Sequence, residues 1–347
     1  MITMAYEVTI GIPVYNVEKY IRLTMDSALA QTFDSIEFLV LDDCGTDSSM
    51  DIVREYQRTH PRGKDIRIVR QPQNMGIGMA RNRIIDEAQG HYLFFMDADD
   101  EMPNDSIQRL YHAAQQYSAQ IVYGSNERIY DFDGRKRIEK VLYRPMQFLH
   151  GDDFANYAYE SYRNIPANVW KYLIDISVYR DNHLRFQDIN YWEDFVMTMD
   201  LPMYITRAVF IPNIIYSYYC RYGSLSNYQK RNHIDKSEIQ KTIDAMAVVK
   251  AQSSRLKSKT YFHKWLCKVM MTHFYMACTI LKQWKCIEPS FTKSEVRDVM
   301  RSPLTFSDVL YLKGWKWKNL SLYLIGALPS FVSVALVRLL GKSKGLL

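Results

Sequence analysis

The sequence has few of the features that define specialised protein classes. Its five cysteines are an odd number and form no Cys-X-X-Cys pair, so neither a disulfide framework nor a zinc ribbon is indicated. With 14 glycines and 11 prolines in 347 residues, collagen-like and low-complexity architectures are excluded. The first residues lack the basic flank and long apolar run of a signal peptide, which together with the cysteine usage favours a reducing cytoplasm.

Two nucleotide-binding motifs are also missing. The absence of a GXXXXGK[ST] motif argues against the P-loop class. Gly76-Ile77-Gly78 is only a fragment of a glycine-rich loop, and Arg81 stands where a dinucleotide-binding loop needs its third glycine. A Rossmann dehydrogenase is therefore disfavoured.

The composition is that of a folded protein, but its charge is uneven. Hydrophobic residues make up 48% and charged residues 24% of the chain. Residues 1–226 hold 23 Lys and Arg against 31 Asp and Glu, a balance of −8, whereas residues 227–347 hold 21 against 7, a balance of +14. The basic C-terminal third predicts an anionic partner, either membrane headgroups or nucleic acid.

The N-terminal half alternates short apolar runs with helix-like stretches. The runs predict strands at Val8–Val14, Ile36–Leu41, Ile66–Val69, Tyr92–Met96 and Ile121–Tyr123. The stretches between them predict helices at Val17–Ala30, Ser48–Arg58, Gly76–Ala88 and Asp105–Tyr117. This order predicts an α/β fold with a mostly parallel sheet that is covered by helices on both faces.

Acidic residues follow two of these strands. Asp42 and Asp43 come after FLVL, and Asp97, Asp99 and Asp100 come after YLFFM. Because ligands of open α/β sheets bind outside the carboxyl ends of the strands, these side chains are expected to converge there. Carboxylates so close together raise each other's pKa unless a cation or hydrogen-bond donors offset the repulsion. A hard divalent ion is the simplest partner, since oxygen ligands suit Mg²⁺ or Mn²⁺ together with a diphosphate.

Plain structural roles are the alternatives for the same residues. Asp99, Asp100 and Glu101 could cap the helix that follows the fourth strand, and Asp42-Asp43 could form a solvated turn. Asp194 could be a carboxylate that the dipole of its own helix stabilises. The combination of two acidic strand ends favours a ligand site over these roles.

Four segments in order resemble the family 2 inverting glycosyltransferases of the GT-A fold. They are VTIGIPVYN at 8–16, FLVLDDCGTDSS at 38–49, NMGIGMARN at 74–82 and GHYLFFMDADD at 90–100. The likeness extends through NVWKYLID at 168–175, NYWEDFVM at 190–197 and IYSYYCRYGSLS at 215–226.

The resemblance implies transfer of a sugar, with inversion, from a nucleotide diphosphate donor that is usually UDP-linked. It assigns Pro13, Tyr15, Asp42 and Arg81 to the nucleoside pocket, Asp97 and Asp99 to the metal and diphosphate, Asp194 to the general base, and Arg221 to a loop that closes on the diphosphate. Trp192 is a possible acceptor contact. Its ring could stack on a sugar or lie in the core, and the same two alternatives hold for Trp170 and Tyr191.

The chain departs from the family pattern at two places. Where relatives often read DDGSTD it reads DDCGTD, so Cys44 takes a glycine-like position and Gly45 could carry the turn one residue later. Ile84 stands where relatives commonly have glycine, which could alter helix packing or donor choice.

The C-terminal third predicts helices with a membrane-facing element. Long helices are expected from Asp235 to Cys286, where His263 with Cys267, or His273 with Cys278, offers no complete metal site. Leu320–Val337 is an uncharged run flanked by lysines and tryptophans, and Gly326 and Pro329 interrupt it. A monotopic or re-entrant anchor is the favoured interpretation, with a core helix or a true span as the alternatives.

The chain is thus expected to comprise a nucleotide-sugar-binding subdomain at 1–125, an acceptor-binding subdomain at 126–226 and a basic helical region at 227–347. The predicted function is a metal-dependent glycosyltransferase on the cytoplasmic side of the cell membrane, acting on a glycan or lipid-linked glycan and not on nucleic acid. A sugar nucleotidyltransferase and a catalytically silent, membrane-tethered binding module are the alternatives.

Overall fold

The chain forms two compact units. The structure is a computed structural model that describes residues 5–132, 135–161, 164–165, 167–189, 192–221, 232–314 and 316–347. One unit consists of Met1–Phe154 with Pro166–Ser224, and the other of Ala155–Ile165 with Leu225–Leu347. The predicted regions 1–125 and 126–226 therefore lie mostly in one unit, with residues 155–165 and 225–226 as the exceptions.

The strands and helices alternate through the first unit, and helices dominate the second. The strands are β1 (Tyr6–Val14), β2 (Ile36–Asp42), β3 (Ile66–Arg70), β4 (Gly90–Phe95), β5 (Ile121–Phe132), β6 (Arg135–Val141), β7 (Met146–Phe148), β8 (Tyr172–Asp175), β9 (Ala208–Cys220), β10 (Ile234–Asp235) and β11 (Ile287–Glu288). The helices are α1 (Ile21–Leu29), α2 (Ser49–Thr59), α3 (Ile77–Glu87), α4 (Ser106–Tyr117), α5 (Asp153–Glu160), α6 (Ser177–Asp181), α7 (Glu193–Asp200), α8 (Lys236–Ala251), α9 (Ser253–Leu256), α10 (Phe262–Lys282), α11 (Lys293–Met300), α12 (Phe306–Leu310), α13 (Lys316–Ala327) and α14 (Ser330–Ser343). Short 3₁₀ turns lie at Gly63–Asp65, Val169–Lys171 and Leu201–Tyr204.

The first unit is built on one sheet with a parallel half and a mixed half. Within the described residues its strand order is β3-β2-β1-β4-β8-β5-β9-β7, with β6 beside β5. Strands β3, β2, β1 and β4 are parallel, whereas β8 runs antiparallel to both of its neighbours. All seven residues of β2 are buried, as expected for a strand covered on both faces. The predicted α/β fold is confirmed.

The parallel half places the acidic strand ends side by side. In the pairing of β1 with β2, Val14 is the partner of Asp42, and the N–H of Met96 donates to the carbonyl of Gly11 at 3.0 Å. The carboxyl ends of β2, β1 and β4 therefore share one edge of the sheet, in that order.

Gly11 explains how the fold accepts Ile84. A Cβ atom on Gly11 would lie 2.4 Å from Cγ2 of Ile84, far inside van der Waals contact. The missing side chain on β1 thus makes room for the large one on α3, and both residues are buried. The departure from the family pattern at residue 84 is matched by a glycine across the interface.

The second unit interrupts the apolar run near residue 328. Helix α13 ends at Ala327 and α14 begins at Ser330, with Pro329 as the residue before the first helical one. A search of the described residues for a helix long and apolar enough to cross a bilayer finds none. Residues 320–337 thus belong to two helices that Pro329 separates, and not to one continuous helix.

The histidines and cysteines of α10 have structural surroundings. Nδ1 of the buried His273 lies 2.7 Å from the carbonyl of Val269, and Cys267 and Cys278 are buried. Burial lowers the pKa of His273 to about 3, so its ring is neutral. No cluster of three or more His, Cys, Asp or Glu able to hold a metal occurs among the residues described.

Candidate active site

The nucleoside-binding candidates lie at the ends of β1 and β2. Pro13 and Asp42 are buried, whereas the Tyr15 side chain stands out at the sheet edge with 46% exposure. One oxygen of Asp42 accepts a hydrogen bond from the backbone of Cys44 at 2.9 Å, and the other lies 3.5 Å from Nε of Arg70. Tyr15 is thus the accessible member of this group.

Cys44 itself adopts the left-handed conformation. Its φ is 60°, a region that favours glycine, whereas Gly45 is not among the residues with positive φ. The expectation that Cys44 takes a glycine-like position is correct, but Gly45 does not carry the turn. The thiol donates to the carbonyl of Gln71 at 3.1 Å, which ties the turn to the end of β3.

Asp43 holds the loop that starts α3, a role the sequence did not reveal. Its carboxylate accepts hydrogen bonds from the backbone of Met75 at 3.0 Å and of Gly76 at 3.1 Å. Burial raises the pKa of Asp43 against these bonds. Gly76 has a φ of 82°, so the fragment of a glycine-rich loop is a helix-start turn.

Arg81 connects the end of β4 to the start of α7. Its guanidinium lies 3.2 Å from Asp97 and 2.6 Å from Glu193, and its side chain is only 5% exposed. Burial lowers the pKa of Arg81, but the carboxylates of Asp97 and Glu193 raise it overall, so the group stays charged. The arginine expected in the nucleoside pocket is therefore held between two acidic segments.

Glu193 and Asp194 are adjacent carboxylates with different surroundings. Glu193 is buried against Arg81, whereas the carboxylate of Asp194 forms no ion pair with any described residue. Burial and the charge of Glu193 raise the pKa of Asp194 to about 7, although Arg81 opposes the shift. Both residues lie in the first turn of α7, so the helix-start position considered for Asp194 is real.

Asp99 forms an ion pair with Arg221. Nη1 of Arg221 lies 3.2 Å from the Asp99 carboxylate and also donates to the Asp99 carbonyl. The guanidinium stacks between Tyr20, at 4.1 Å, and Tyr219, at 4.4 Å. Most of the loop that resembles a closing segment, residues 222–226, lies outside the described residues.

Asp100 anchors β9 and does not cap a helix. Its carboxylate accepts a hydrogen bond from the backbone of Tyr219 at 2.8 Å, and the residue is fully buried. The Glu101 carboxylate accepts one from the hydroxyl of Tyr219. Because α4 starts only at Ser106, the helix-capping alternative for residues 99–101 is wrong. The sequence offers no signal for this contact across 119 residues.

The aromatic residues divide into core and rim. Trp170 is buried and stacks between Tyr216 and Tyr218 at centroid distances of 4.5 and 5.3 Å, so it belongs to the core. Tyr216 in turn accepts a hydrogen bond from the backbone of Asp97 at 3.0 Å. Trp192 is half-buried against Phe195 at 5.8 Å, and Tyr191 lies outside the described residues.

The carboxylates of Asp97 and Asp99 fit a hard divalent cation. Burial and the neighbouring Asp97 raise the pKa of Asp99 to about 6, which is the mutual repulsion that a bound cation relieves. Asp97 pairs with Arg81 through Oδ1, and Asp99 pairs with Arg221 through Oδ2. Two carboxylates are also the usual protein share for Mg²⁺, which takes its other ligands from water and substrate phosphates.

Comparisons with known proteins find a similar family and similar relatives. Residues 9–170 match the family model for glycosyl transferase family 2. The chain is 27% identical over 235 residues to glycosyltransferase GlyA of Streptococcus pneumoniae, covering 63% of this chain and 31% of that protein. It is 35% identical over 102 residues to a putative teichuronic acid biosynthesis glycosyltransferase, TuaG, of Bacillus subtilis, covering 29% of this chain and 39% of that protein. The chain thus spans less than half the length of these two relatives.

The fold has a similar solved structure. The crystal structure of S. aureus TarS 1-349 in complex with UDP-GlcNAc superposes with a TM-score of 0.67, at 17% identity, over 92% of this chain and 90% of that one. This likeness supports the fold, and the family assignment rests on the model matched by residues 9–170. Residues 9–170 are accordingly a glycosyltransferase family 2 domain, and the chain has the GT-A fold.

Proposed function

We propose that this chain transfers a sugar from a nucleoside diphosphate donor, UDP-linked, to a hydroxyl group of a glycan or lipid-linked glycan, with inversion. The contacts of Arg81 carry the proposal. This one buried guanidinium touches Asp97, assigned to the diphosphate, and Glu193, the neighbour of the assigned base. Family membership and the UDP-GlcNAc in the TarS crystal structure support a nucleotide sugar as donor.

The donor end of the site consists of side chains at three strand ends. Tyr15 and Asp42 would contact the nucleoside, and Asp97 and Asp99 would hold Mg²⁺ or Mn²⁺ beside the diphosphate. When bound, the cation supplies Lewis-acid stabilisation of the negative charge that develops on the leaving group. Arg221, next to Asp99, adds a second positive charge at the same end.

Asp194 is the proposed general base. As the acceptor oxygen bonds to the anomeric carbon, the bond from that carbon to the phosphate oxygen breaks, and the hydroxyl proton passes to the carboxylate. A pKa of about 7 suits this task, because the group is then both ionised and basic near neutral pH. Glu193 is poorly placed for it, since Arg81 already holds its carboxylate. One displacement without a covalent enzyme intermediate gives inversion.

The acceptor end is assigned to the side of α7. Trp192 precedes the base and would offer an aromatic face to a sugar ring. The similarity to TuaG, a putative teichuronic acid biosynthesis glycosyltransferase, supports a glycan as the acceptor class.

Replacing the base tests the proposal. Donors are first screened by thermal shift with Mn²⁺, because selective binding stabilises the folded state. With the selected donor and a panel of glycan acceptors, Asp194→Asn is expected to lower turnover by about 10²- to 10⁴-fold while the donor-induced thermal shift stays. The matched control is Asp181→Asn, an exposed residue at the end of α6, which should leave turnover unchanged.

The released product separates the alternatives. Free nucleoside diphosphate is expected from glycosyl transfer, whereas pyrophosphate would indicate a sugar nucleotidyltransferase. Turnover of Asp194→Asn at the wild-type rate would remove Asp194 from the mechanism. Donor binding with no turnover for any acceptor would point to the silent binding module.

A further inference from the structure

Exposed apolar side chains are concentrated in the last three helices. Eleven large hydrophobic side chains are exposed among the described residues, and seven of them lie between residues 306 and 339. These seven, which we call the C-terminal apolar face, are Phe306, Leu310, Tyr311, Trp317, Leu324, Phe331 and Leu339. Tyr311 and Trp317 are 84% and 79% exposed. Such a concentration is typical of an interaction surface and not of scattered surface residues.

Helices α13 and α14 already bury one side each. On α13 the buried residues include Leu322 and Ile325, and on α14 they include Val334 and Val337. Both helices contact α10 and α11, so these residues account for the packing within the unit. The exposed apolar residues are therefore additional to that packing. A helix that is apolar on two sides is expected to have a second apolar environment.

Apart from Asp308, which pairs with Lys257 at 3.0 Å, the charged residues between 306 and 347 are all basic. Residues 309–347 contain six Lys and Arg and no Asp or Glu. The six are Lys313, Lys316, Lys318, Arg338, Lys342 and Lys344. Basic side chains beside tryptophan and tyrosine are the combination that interfacial membrane segments use.

A basic cleft opens beside α13. It has a volume of about 360 Å³, and its lining includes Arg297, Arg301 and Tyr323. Arg297 pairs with Asp298 at 2.7 Å, whereas Arg301 is exposed and has no ion pair with a described residue. Guanidinium groups are suited to phosphate recognition.

We propose that the C-terminal apolar face docks on an anionic lipid bilayer, its aromatic side chains entering the interface and its basic residues and Arg301 contacting headgroup phosphates. A second copy of the chain is the less favourable occupant. A twofold contact would set the same patch against itself, and residues 309–347 carry no acidic partner for six positive charges. An anionic membrane complements both the apolar and the charged part.

Sedimentation of the full chain with vesicles tests the proposal. The protein is expected to pellet with vesicles of phosphatidylcholine and phosphatidylglycerol, to stay in solution with phosphatidylcholine alone, and to be released by salt. Trp317→Ala with Phe331→Ala should weaken binding about tenfold or more. Val248→Ala, an exposed apolar residue on α8, is the control and should bind like the wild type.

A charge series examines the electrostatic part. Lys316→Gln with Lys342→Gln should weaken binding about fivefold for each lysine and flatten the salt dependence. Lys285→Gln with Lys293→Gln removes two exposed lysines elsewhere in the same unit and should have little effect. Thermal unfolding of every variant checks that folding is kept.

Four results would overturn the proposal. The wild type could fail to pellet with anionic vesicles, or it could bind phosphatidylcholine equally well. The Trp317 and Phe331 variant could bind like the wild type. If the wild type is a dimer by light scattering and that variant is a monomer, a second copy is the occupant and the lipid assignment fails.

Discussion

The two units depart from ordinary burial in opposite ways. The first unit buries charge: Arg81 is 5% exposed between Asp97 and Glu193, and Asp100 is fully buried. The second unit exposes apolar side chains such as Trp317 and Phe331. Burying charge and exposing apolar surface both cost stability, so each is retained where it serves a function. The proposed chemistry is thus assigned to the first unit and the proposed membrane docking to the second.

The largest effect is expected from removing the buried cation. Arg81→Met leaves Asp97 and Glu193 without their shared partner and should lower the free energy of unfolding by about 3–5 kcal/mol. Chemical denaturation measures the change. Arg83→Met is the control on the same helix, because Arg83 is exposed and pairs only with Glu87 in the next turn. Equal losses for both variants would mean that burial of the charge does not matter.

The pH dependence of turnover follows from Asp194. Because the base must be ionised and burial raises its pKa to about 7, the rate should fall about tenfold for each pH unit below 7. Initial rates from pH 5 to 8 with saturating donor measure this. If the rate instead falls only near pH 4, the base has an ordinary carboxyl pKa.

Stability should depend on pH with the opposite sign. Between the unfolded pKa near 4 and the folded pKa near 7, the folded state holds a proton on Asp194 that the unfolded state has lost. The free energy of unfolding should therefore decrease as pH rises through this window. Asp194→Asn should make the decrease smaller, and Asp181→Asn should not.

The packing of Gly11 against Ile84 predicts a smaller loss of stability, which a second substitution should partly restore. Gly11→Ala places a methyl group 2.4 Å from the Ile84 side chain and should lower the free energy of unfolding by about 1–3 kcal/mol. Adding Ile84→Ala should recover part of the loss in Gly11→Ala, although alone it creates a cavity. Additive losses in a double-mutant cycle would refute the steric coupling.

The smallest effect is expected at Cys44. Cys44→Gly relieves the positive φ but loses the bond to Gln71, so stability should change by no more than about 1 kcal/mol. Cys44→Val should destabilise more, because a β-branched side chain tolerates this conformation poorly. Comparing the two denaturation midpoints tests the assignment.

The sequence predicted the parallel half of the sheet well and its long-range contacts poorly. Strands β1 to β4 were predicted within two residues at each end because they are buried, uninterrupted apolar runs. Because β4 was predicted, the sequence also placed Asp97 and Asp99 correctly after the end of that strand. Strands β6 to β11 were not predicted, and β5 was predicted only as Ile121–Tyr123 although it continues to Phe132. Several of these strands are short and lack a comparable run, whereas the 13-residue β9 contains polar residues and a proline that interrupt its apolar pattern.

Side-chain partners remained hidden where they are distant in sequence. The pairs of Arg81 with Glu193 and of Asp100 with Tyr219 span 112 and 119 residues, and no local spacing indicates them. The resemblance assigned roles to Pro13, Tyr15, Asp42, Arg81, Asp97, Asp99, Asp194 and Arg221, and those roles stay predictions, as does the acceptor contact considered for Trp192. The conformation of Cys44 could be inferred only because a glycine was expected there.

The contact of Arg81 with Glu193, 112 residues later in the chain, also limits how far the protein can be truncated. A fragment trimmed to residues 9–170 would keep both metal-assigned aspartates but lose Glu193, leaving the guanidinium a single counter-ion. It would lose β9 as well, and with it Tyr216 and the backbone partner of Asp100. A fragment that keeps these contacts and the pair of Arg221 with Asp99 must therefore extend at least through Arg221, beyond the matched segment 9–170.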